Sequence, residues 1–258
     1  MTSVTKQVPI PILLYHAVAD RTVPGHSAFT VTPSSFAEHL RAIIASGRVP
    51  LTVSALASAL RGESQLPLRP VLLTFDDGFA DLRPAVEAVL AAGLAASAFV
   101  TSGSIGLPGM VTVADVQAMY ALGPRVEVGA HSVTHPHLDE LDATAAAREI
   151  ADSRTALEDI LLAPVEAFAY PHGSYDRNVR TAVIESGFSS AVAVKNALSH
   201  SRDDVYALAR ITVTSETSTE LVERLLRGTG ARLAWRHERL RTRGYRTYRR
   251  LKPRREST

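Results

Sequence analysis

The chain contains no cysteine. That excludes disulfides, iron–sulfur clusters, thiolate zinc sites and cysteine nucleophiles together, so any metal must be held by His, Asp or Glu. Aromatic residues make up 6% of the sequence, and the single tryptophan, Trp235, stands near the C-terminus. The rest of the chain therefore lacks an obvious set of sugar-stacking rings. No segment reaches the ~18 consecutive apolar residues of a membrane span. Residues 1–12 hold one lysine and two prolines, without the basic start, apolar run and small-residue cleavage site of a secretory signal. A cytoplasmic location is the expectation.

What is present suits a soluble globular protein: 258 residues, 46% hydrophobic and 21% charged. The formal net charge of +2 conceals a division. Residues 227–258 hold 12 of the 28 Lys and Arg but only two of the 26 acids, a formal +10 that leaves −8 on residues 1–226. The expected organisation is one domain over residues 1–226 and a basic, Arg-rich extension over residues 227–258. Such an extension suits an anionic partner, either a membrane surface (hence peripheral association at the inner face of the membrane) or an anionic polymer, with Leu233, Trp235 and Leu240 as weak anchors. A solvated tail is the competing reading, and arginine is favoured throughout, at 25 of the 28 basic positions. Nothing else in the chain points to nucleic acid, and none is expected.

Residues 1–226 alternate apolar runs with helical patterns. The runs predict strands over residues 10–16, 71–75, 96–101, 126–130, 165–169, 190–194 and 208–213. Helices are predicted over 33–46, 82–91, 113–122, 143–162, 177–186 and 219–227, with Asp81, Asp142 and Asp176 as N-caps. This alternation predicts an α/β fold with a largely parallel sheet. About seven repeats suit either a closed barrel or an open sheet. In both, chemistry sits on the loops that follow the strands.

Four such loops carry reactive side chains. Val71–Phe75 runs into Asp76-Asp77-Gly78, where two adjacent carboxylates repel unless a cation or a raised pKa relieves them. Val126–Ala130 runs into His131-Ser132-Val133-Thr134-His135-Pro136-His137. Pro136 disfavours a helix through His135, so a compact loop is expected, with His137 stabilising it rather than ligating. Val165–Ala169 runs into Tyr170-Pro171-His172-Gly173, and the first strand ends in Tyr15-His16. Each feature alone reads as an ordinary turn or a buried aromatic beside a hydrogen-bonded histidine. One parallel sheet would bring all four to the same rim. One carboxylate and two imidazoles then suffice as ligands for an open catalytic site, with the second carboxylate left as a base.

These motifs resemble those of the polysaccharide deacetylases, the carbohydrate esterases with a NodB-homology domain. Thr74-Phe75-Asp76-Asp77-Gly78 is similar to the family's first motif and His131-Ser132-Val133-Thr134-His135-Pro136 to its second. Ala169-Tyr170-Pro171-His172-Gly173 is similar to the third. Leu13-Leu14-Tyr15-His16 resembles the branch that includes the poly-N-acetylglucosamine deacetylases. The resemblance covers roughly residues 9–226. It implies a distorted (β/α) barrel of about seven parallel strands and removal of N-acetyl groups from an amino sugar or polysaccharide. It also implies one divalent metal ion, zinc before Co2+, Ni2+ or Mn2+. Asp77, His131 and His135 are the implied ligands, Asp76 is the implied base for a metal-activated water, and Tyr170, Pro171 and the His172 backbone N–H contact substrate and oxyanion.

Two departures stand out. Ala169 occupies the place of the third motif's arginine, and Arg210 is expected to orient Asp76 in its stead. The late Leu-x-x-His motif that supplies the usual general acid is absent; beyond Val213 the one histidine is His237. His16 is the expected substitute as acid or positioning group, with His172 as second candidate. Two alternatives follow: hydrolysis of a non-sugar amide or cyclic imide on the same scaffold, and an inactive glycan-binding module. The intact Asp76 argues against the second.

Overall fold

The computed structural model describes residues 8–22 and 25–235. Seven parallel strands close into a barrel: β1 (Ile12–Tyr15), β2 (Pro70–Phe75), β3 (Ala96–Val100), β4 (Val126–Ala130), β5 (Ala167–Ala169), β6 (Ser190–Val194) and β7 (Leu208–Thr212). Each strand pairs with the next in sequence, and β7 returns to β1 through Ile211 opposite Leu13 and Thr212 opposite Leu14. The barrel is uneven. β3 and β4 share a five-residue register from Ala96–Val126 to Val100–Ala130, whereas β4 and β5 meet only at Ala130–Phe168. The helices are α1 (Pro33–Ala45), α2 (Val53–Arg61), α3 (Leu82–Ala91), α4 (Val113–Ala121), α5 (Ala143–Leu161), α6 (Arg177–Glu185) and α7 (Thr219–Leu226). Among the described residues no helix is long and apolar enough to cross a membrane.

All seven predicted strands form, trimmed where local chemistry interferes. Pro11 breaks the first run, so Pro9–Ile10 turns aside to pair antiparallel with Ser199–His200, and Ala17–Val18 pairs with Thr30–Val31. The fifth strand begins at Ala167 because α5 side chains occupy the backbone of Val165. Its N–H donates to Glu158 at 3.0 Å and its carbonyl accepts from Arg154 at 3.1 Å. Asp142 and Asp176 cap α5 and α6 as expected. Asp81 does not cap α3; its carboxylate accepts the N–H of Val18 instead. Helix α2 has no counterpart among the predicted helices, although Thr52 caps it and Gly62 ends it at φ 80°.

Alternation along the strands divides the apolar side chains between two layers. Leu13, Tyr15, Leu73, Phe75, Ala96 and Ala98 belong to the layer under the helices. Ile12, Leu72, Phe99, Ala169, Val192 and Leu208 fill the bore. Val53 and Leu56 of α2 join this second cluster and close the bore at the end where the strands begin. The Glu127 carboxylate accepts N–H bonds from Val53 at 2.9 Å and Ser54 at 3.2 Å, and the Ser97 hydroxyl at 2.7 Å, which fixes α2 at that end. Gly129 faces the bore; a Cβ there would lie 2.6 Å from the Phe99 ring and 2.8 Å from the Ala167 carbonyl oxygen.

The basic extension begins against the body. Leu198 donates to the Arg232 carbonyl and accepts from Ala234 N–H, each at 2.8 Å, and Leu233 is half-buried against the core, so it is not free to serve as an anchor. Trp235 is 65% exposed. Leu240, His237 and most of the basic residues lie outside the described residues.

Candidate active site

The alternation that fills the bore also builds its mouth. Continuing past Leu72 and Thr74, β2 delivers Asp76 at the C-terminal rim. Past Gly129, β4 delivers His131, and past Leu208, β7 delivers Arg210. Arg210 is fully buried and Asp76 is 2% exposed. The Arg210 Nη1 and Nη2 donate to Asp76 Oδ1 and Oδ2 at 2.6 Å each, and Nη1 also donates to Thr74 Oγ1 at 3.3 Å. The guanidinium carbon lies 5.6 Å from the Phe99 ring centroid. Burial pushes the Asp76 carboxyl up, but the Arg210 and His131 charges outweigh it and hold the group below its usual range.

Asp77 turns back toward the imidazole that Asp76 also faces, because the chain reverses there: His131 Nε2 lies 3.7 Å from Asp76 Oδ2 and 3.4 Å from Asp77 Oδ1. Asp77 takes φ 74°, and Gly78 donates back to the Asp76 carbonyl at 3.0 Å, closing a three-residue turn of the rare kind with positive central φ. Asp77 Oδ1 is buried without a hydrogen-bond partner. It faces His131 Nε2 at 3.4 Å and His135 Nε2 at 3.3 Å. The ligand atoms of these three residues all lie within 4.8 Å of one another. His131 Nδ1 sits 2.8 Å from the Ala169 carbonyl oxygen, which requires a proton on Nδ1 and turns Nε2 toward Asp77. Burial and the neighbouring His131 charge lower the His135 pKa to about 4. A buried carboxylate oxygen without a hydrogen-bond partner, facing the Nε2 atoms of two imidazoles, fits a divalent cation.

The segment from His131 to His135 is a compact loop, as Pro136 requires. Ser132 and His135 both adopt left-handed backbone, at φ 61° and 58°. Of the six non-glycine residues with positive φ among the described residues, Asp77, Ser132, His135 and His172 belong to this mouth. Strain gathered at one place is a mark of function.

The remaining expected residues surround the cluster. His16 lies close enough to the Asp76 and Asp77 carboxylates to feel both, its Nδ1 is buried without a partner, and its ring is 4.9 Å from that of the exposed Phe29. Burial lowers the His16 pKa. Tyr170 is fully buried and donates its hydroxyl to the Tyr206 carbonyl at 2.9 Å, so its side chain is a structural pin. His172 takes φ 57° after the buried Pro171, with its ring centroid 4.4 Å from that of His135. His137 stacks on His172 at 3.8 Å, and the clustered ligand atoms are those of Asp77, His131 and His135.

The polysaccharide deacetylase family profile matches residues 63–191, half of the chain. The chain belongs to the polysaccharide deacetylase family. The deacetylase is accordingly a hydrolase of the carbohydrate esterase type. It is 26% identical over 209 residues to the Bacillus subtilis (strain 168) protein YxkH, which carries a provisional polysaccharide deacetylase name; the alignment covers 81% of this chain and 72% of that one. Its fold is similar to that of the Streptococcus pyogenes deacetylase PplD, solved with acetate, at a TM-score of 0.78 and 23% identity over 86% of this chain and 99% of that one. It is also similar to IcaB from Ammonifex degensii, at a TM-score of 0.71 and 22% identity over 86% and 97% of the two chains.

The matched span contains Asp76, Asp77, His131, His135, Tyr170, Pro171 and His172 but stops short of Arg210 and lies beyond His16. The barrel closure brings these last two to the mouth. Two contributors had not been anticipated. Phe29 is a partly exposed ring at the rim. Glu149, from α5, accepts the N–H groups of Val133 at 2.9 Å and Thr134 at 2.8 Å and the Thr134 hydroxyl at 2.7 Å. A glutamate beside the buried Ile150 of a helix reads as surface; only the fold shows what it reaches.

Proposed function

We propose that this deacetylase removes N-acetyl groups from an acetylated amino sugar or polysaccharide, with one divalent metal ion held by Asp77, His131 and His135. The observation that carries this reading is one juxtaposition. Three ligand atoms fit for a cation and a separate carboxylate locked by Arg210 share a barrel mouth. A divalent cation bound there, zinc before cobalt, nickel or manganese, supplies Lewis acidity toward an acyl oxygen and acidifies a water.

The chain's own groups divide the rest of the work. Asp76, kept ionised and aimed by the Arg210 fork, takes a proton on a carboxylate oxygen from the attacking water. The water oxygen bonds to the acetyl carbon, and the carbonyl oxygen that becomes negative is met by the His172 backbone N–H. When the carbon–nitrogen bond breaks, the electron pair stays on nitrogen. That nitrogen takes the proton held by Asp76, relayed through an imidazole, His16 as first assignment and His172 as second, which returns Asp76 to its ionised form. Acetate and a free amine leave. Acetate is also the species captured in the PplD structure. Phe29 supplies an apolar face beside His16 against which a sugar ring can lie.

The substrate class is tested by measuring acetate released from N-acetylglucosamine oligomers and from a panel of small non-sugar amides and cyclic imides. Release confined to the oligomers supports the reading, and release confined to the panel overturns it. The +10 charge over residues 227–258 supports a second, separable role for the extension, docking on anionic lipid, at about 1 kcal/mol for each basic side chain near the surface. Equal recovery of full-length chain and a 1–234 truncation with anionic vesicles would exclude it.

A further inference from the structure

The two histidines of the metal cluster are held in unlike ways. His131 follows directly from β4. Its N–H donates to the Val100 carbonyl at 3.0 Å and its ring is fixed by Ala169. His135 has no strand beneath it. It stands at the end of a loop with left-handed backbone at Ser132 and at His135 itself, each of which an L side chain adopts at a cost. Something must hold that loop.

Three supports are visible. The Ser132 hydroxyl accepts the His135 N–H at 2.9 Å. The carbonyls of Ser132 and Val133 accept N–H bonds from Ser102 at 3.1 Å and Gly103 at 3.0 Å. Gly103 must be glycine for this, since a Cβ would fall 2.6 Å from the Val133 oxygen. The backbone N–H groups of Val133 and Thr134 and the Thr134 hydroxyl converge on the Glu149 carboxylate. Charge-assisted bonds of this kind are stronger than neutral ones. One carboxylate thus spans the two residues midway between the histidines, and it comes from a separate element, α5.

We propose that Glu149 is a positioning residue for the metal, setting the place of His135 by holding the 132–135 loop in its left-handed path. The inference rests on the metal reading given above. Without the carboxylate, the Val133 and Thr134 donors turn to water and the loop relaxes toward ordinary backbone. His135 Nε2 then leaves its 3.3 Å position beside Asp77 Oδ1, while His131 stays on its strand.

The test is a zinc titration of metal-free, full-length protein against a competing chelator, carried out on wild type, Glu149→Ala, His135→Ala and the double variant. Outer partners of metal ligands typically account for about 10- to 100-fold in affinity, and Glu149→Ala is expected to weaken zinc by that factor. In the His135→Ala background it is expected to change nothing, because its effect runs through His135. Glu149→Ala binding zinc as tightly as wild type overturns the proposal. So does an equal loss in both backgrounds, which marks a general structural role. If Glu149→Ala fails to fold, Thr134→Val decides the matter. A several-fold zinc loss that disappears in the His135→Ala background supports the proposal, and unchanged affinity overturns it. A wild type that binds no zinc removes the metal reading itself, a result distinct from failure of the Glu149 inference.

Discussion

Arg210 and Asp76 meet through two parallel 2.6 Å hydrogen bonds at a place where the arginine is shut off from solvent and the carboxylate is all but buried. A planar guanidinium satisfies both carboxylate oxygens at once, which a lysine ammonium cannot do. Arg210→Lys should therefore keep the charge and lose the aim, lowering kcat/KM by about 10²-fold, a misplacement-sized effect. Arg210→Met should go further and strand a buried carboxylate, destabilising the chain by roughly 3–5 kcal/mol. Adding Asp76→Asn to Arg210→Met should restore part of that loss in urea unfolding, since it removes the stranded charge.

Gly129 is required by the bore. Gly129→Ala sets a methyl 2.6 Å from the Phe99 ring and 2.8 Å from the Ala167 carbonyl, and overpacking of this kind costs about 1–3 kcal/mol. Phe99 also underlies Arg210, so activity should fall along with stability. Phe99→Leu in the Gly129→Ala background should recover part of the stability, because the ring can be shortened but the carbonyl cannot move. Thermal unfolding of wild type and the two variants checks the order.

Glu127 gives a pH signature at the opposite end of the barrel. Burial raises its carboxyl pKa, and the bonds from Ser54, Ser97 and Val53 offset this only in part. A raised folded-state pKa means that the folded chain holds the proton more tightly than the unfolded one. Its contribution is therefore present at low pH and lost as pH rises through the folded pKa. Relative to Glu127→Gln, which does not titrate, wild type should gain stability in urea unfolding as pH falls from neutral toward the ordinary glutamate value of 4.5. A constant or reversed difference would contradict the burial assigned to Glu127.

Cation binding should register as stability. At a hundredfold excess of zinc over Kd, a site formed only in the folded chain contributes about 2.7 kcal/mol. For a chain of this size that is a Tm rise of roughly 5–10 °C. At the same zinc concentration His131→Ala and Asp77→Ala should show a much smaller rise, and a chelator should reverse it in wild type.

Much of this arrangement is legible in the sequence, for a definite reason. Apolar strands such as Val71–Phe75 and Val126–Ala130 end abruptly in charged or imidazole side chains, and a parallel barrel must collect such ends on one rim. The cap residues Asp142 and Asp176 announce α5 and α6 in the same local way. What the sequence conceals depends on contacts between distant elements. Arg210 is singled out only by the family resemblance; by its local sequence it looks like any strand arginine until β7 closes on β1 and faces it toward β2. Glu149 looks like helix surface until α5 lies along the 132–135 loop. Helix α2, short and rich in Ser and Ala, becomes identifiable as a plug only when Val53 and Leu56 are seen in the bore. Asp81 has the cap composition and the cap position, yet a backbone N–H from Val18 claims it first.

The central claim is that Asp76, beside the Asp77–His131–His135 cluster, acts as the base in amide hydrolysis. The most direct measurement is acetate release from N-acetylglucosamine oligomers by zinc-loaded wild type and zinc-loaded Asp76→Asn, with bound zinc quantified in both. The account predicts steady acetate release from wild type and a loss of about 10²- to 10⁴-fold in the variant, the usual weight of a general base, with zinc content unchanged. Equal rates from the two proteins at equal zinc content would contradict it.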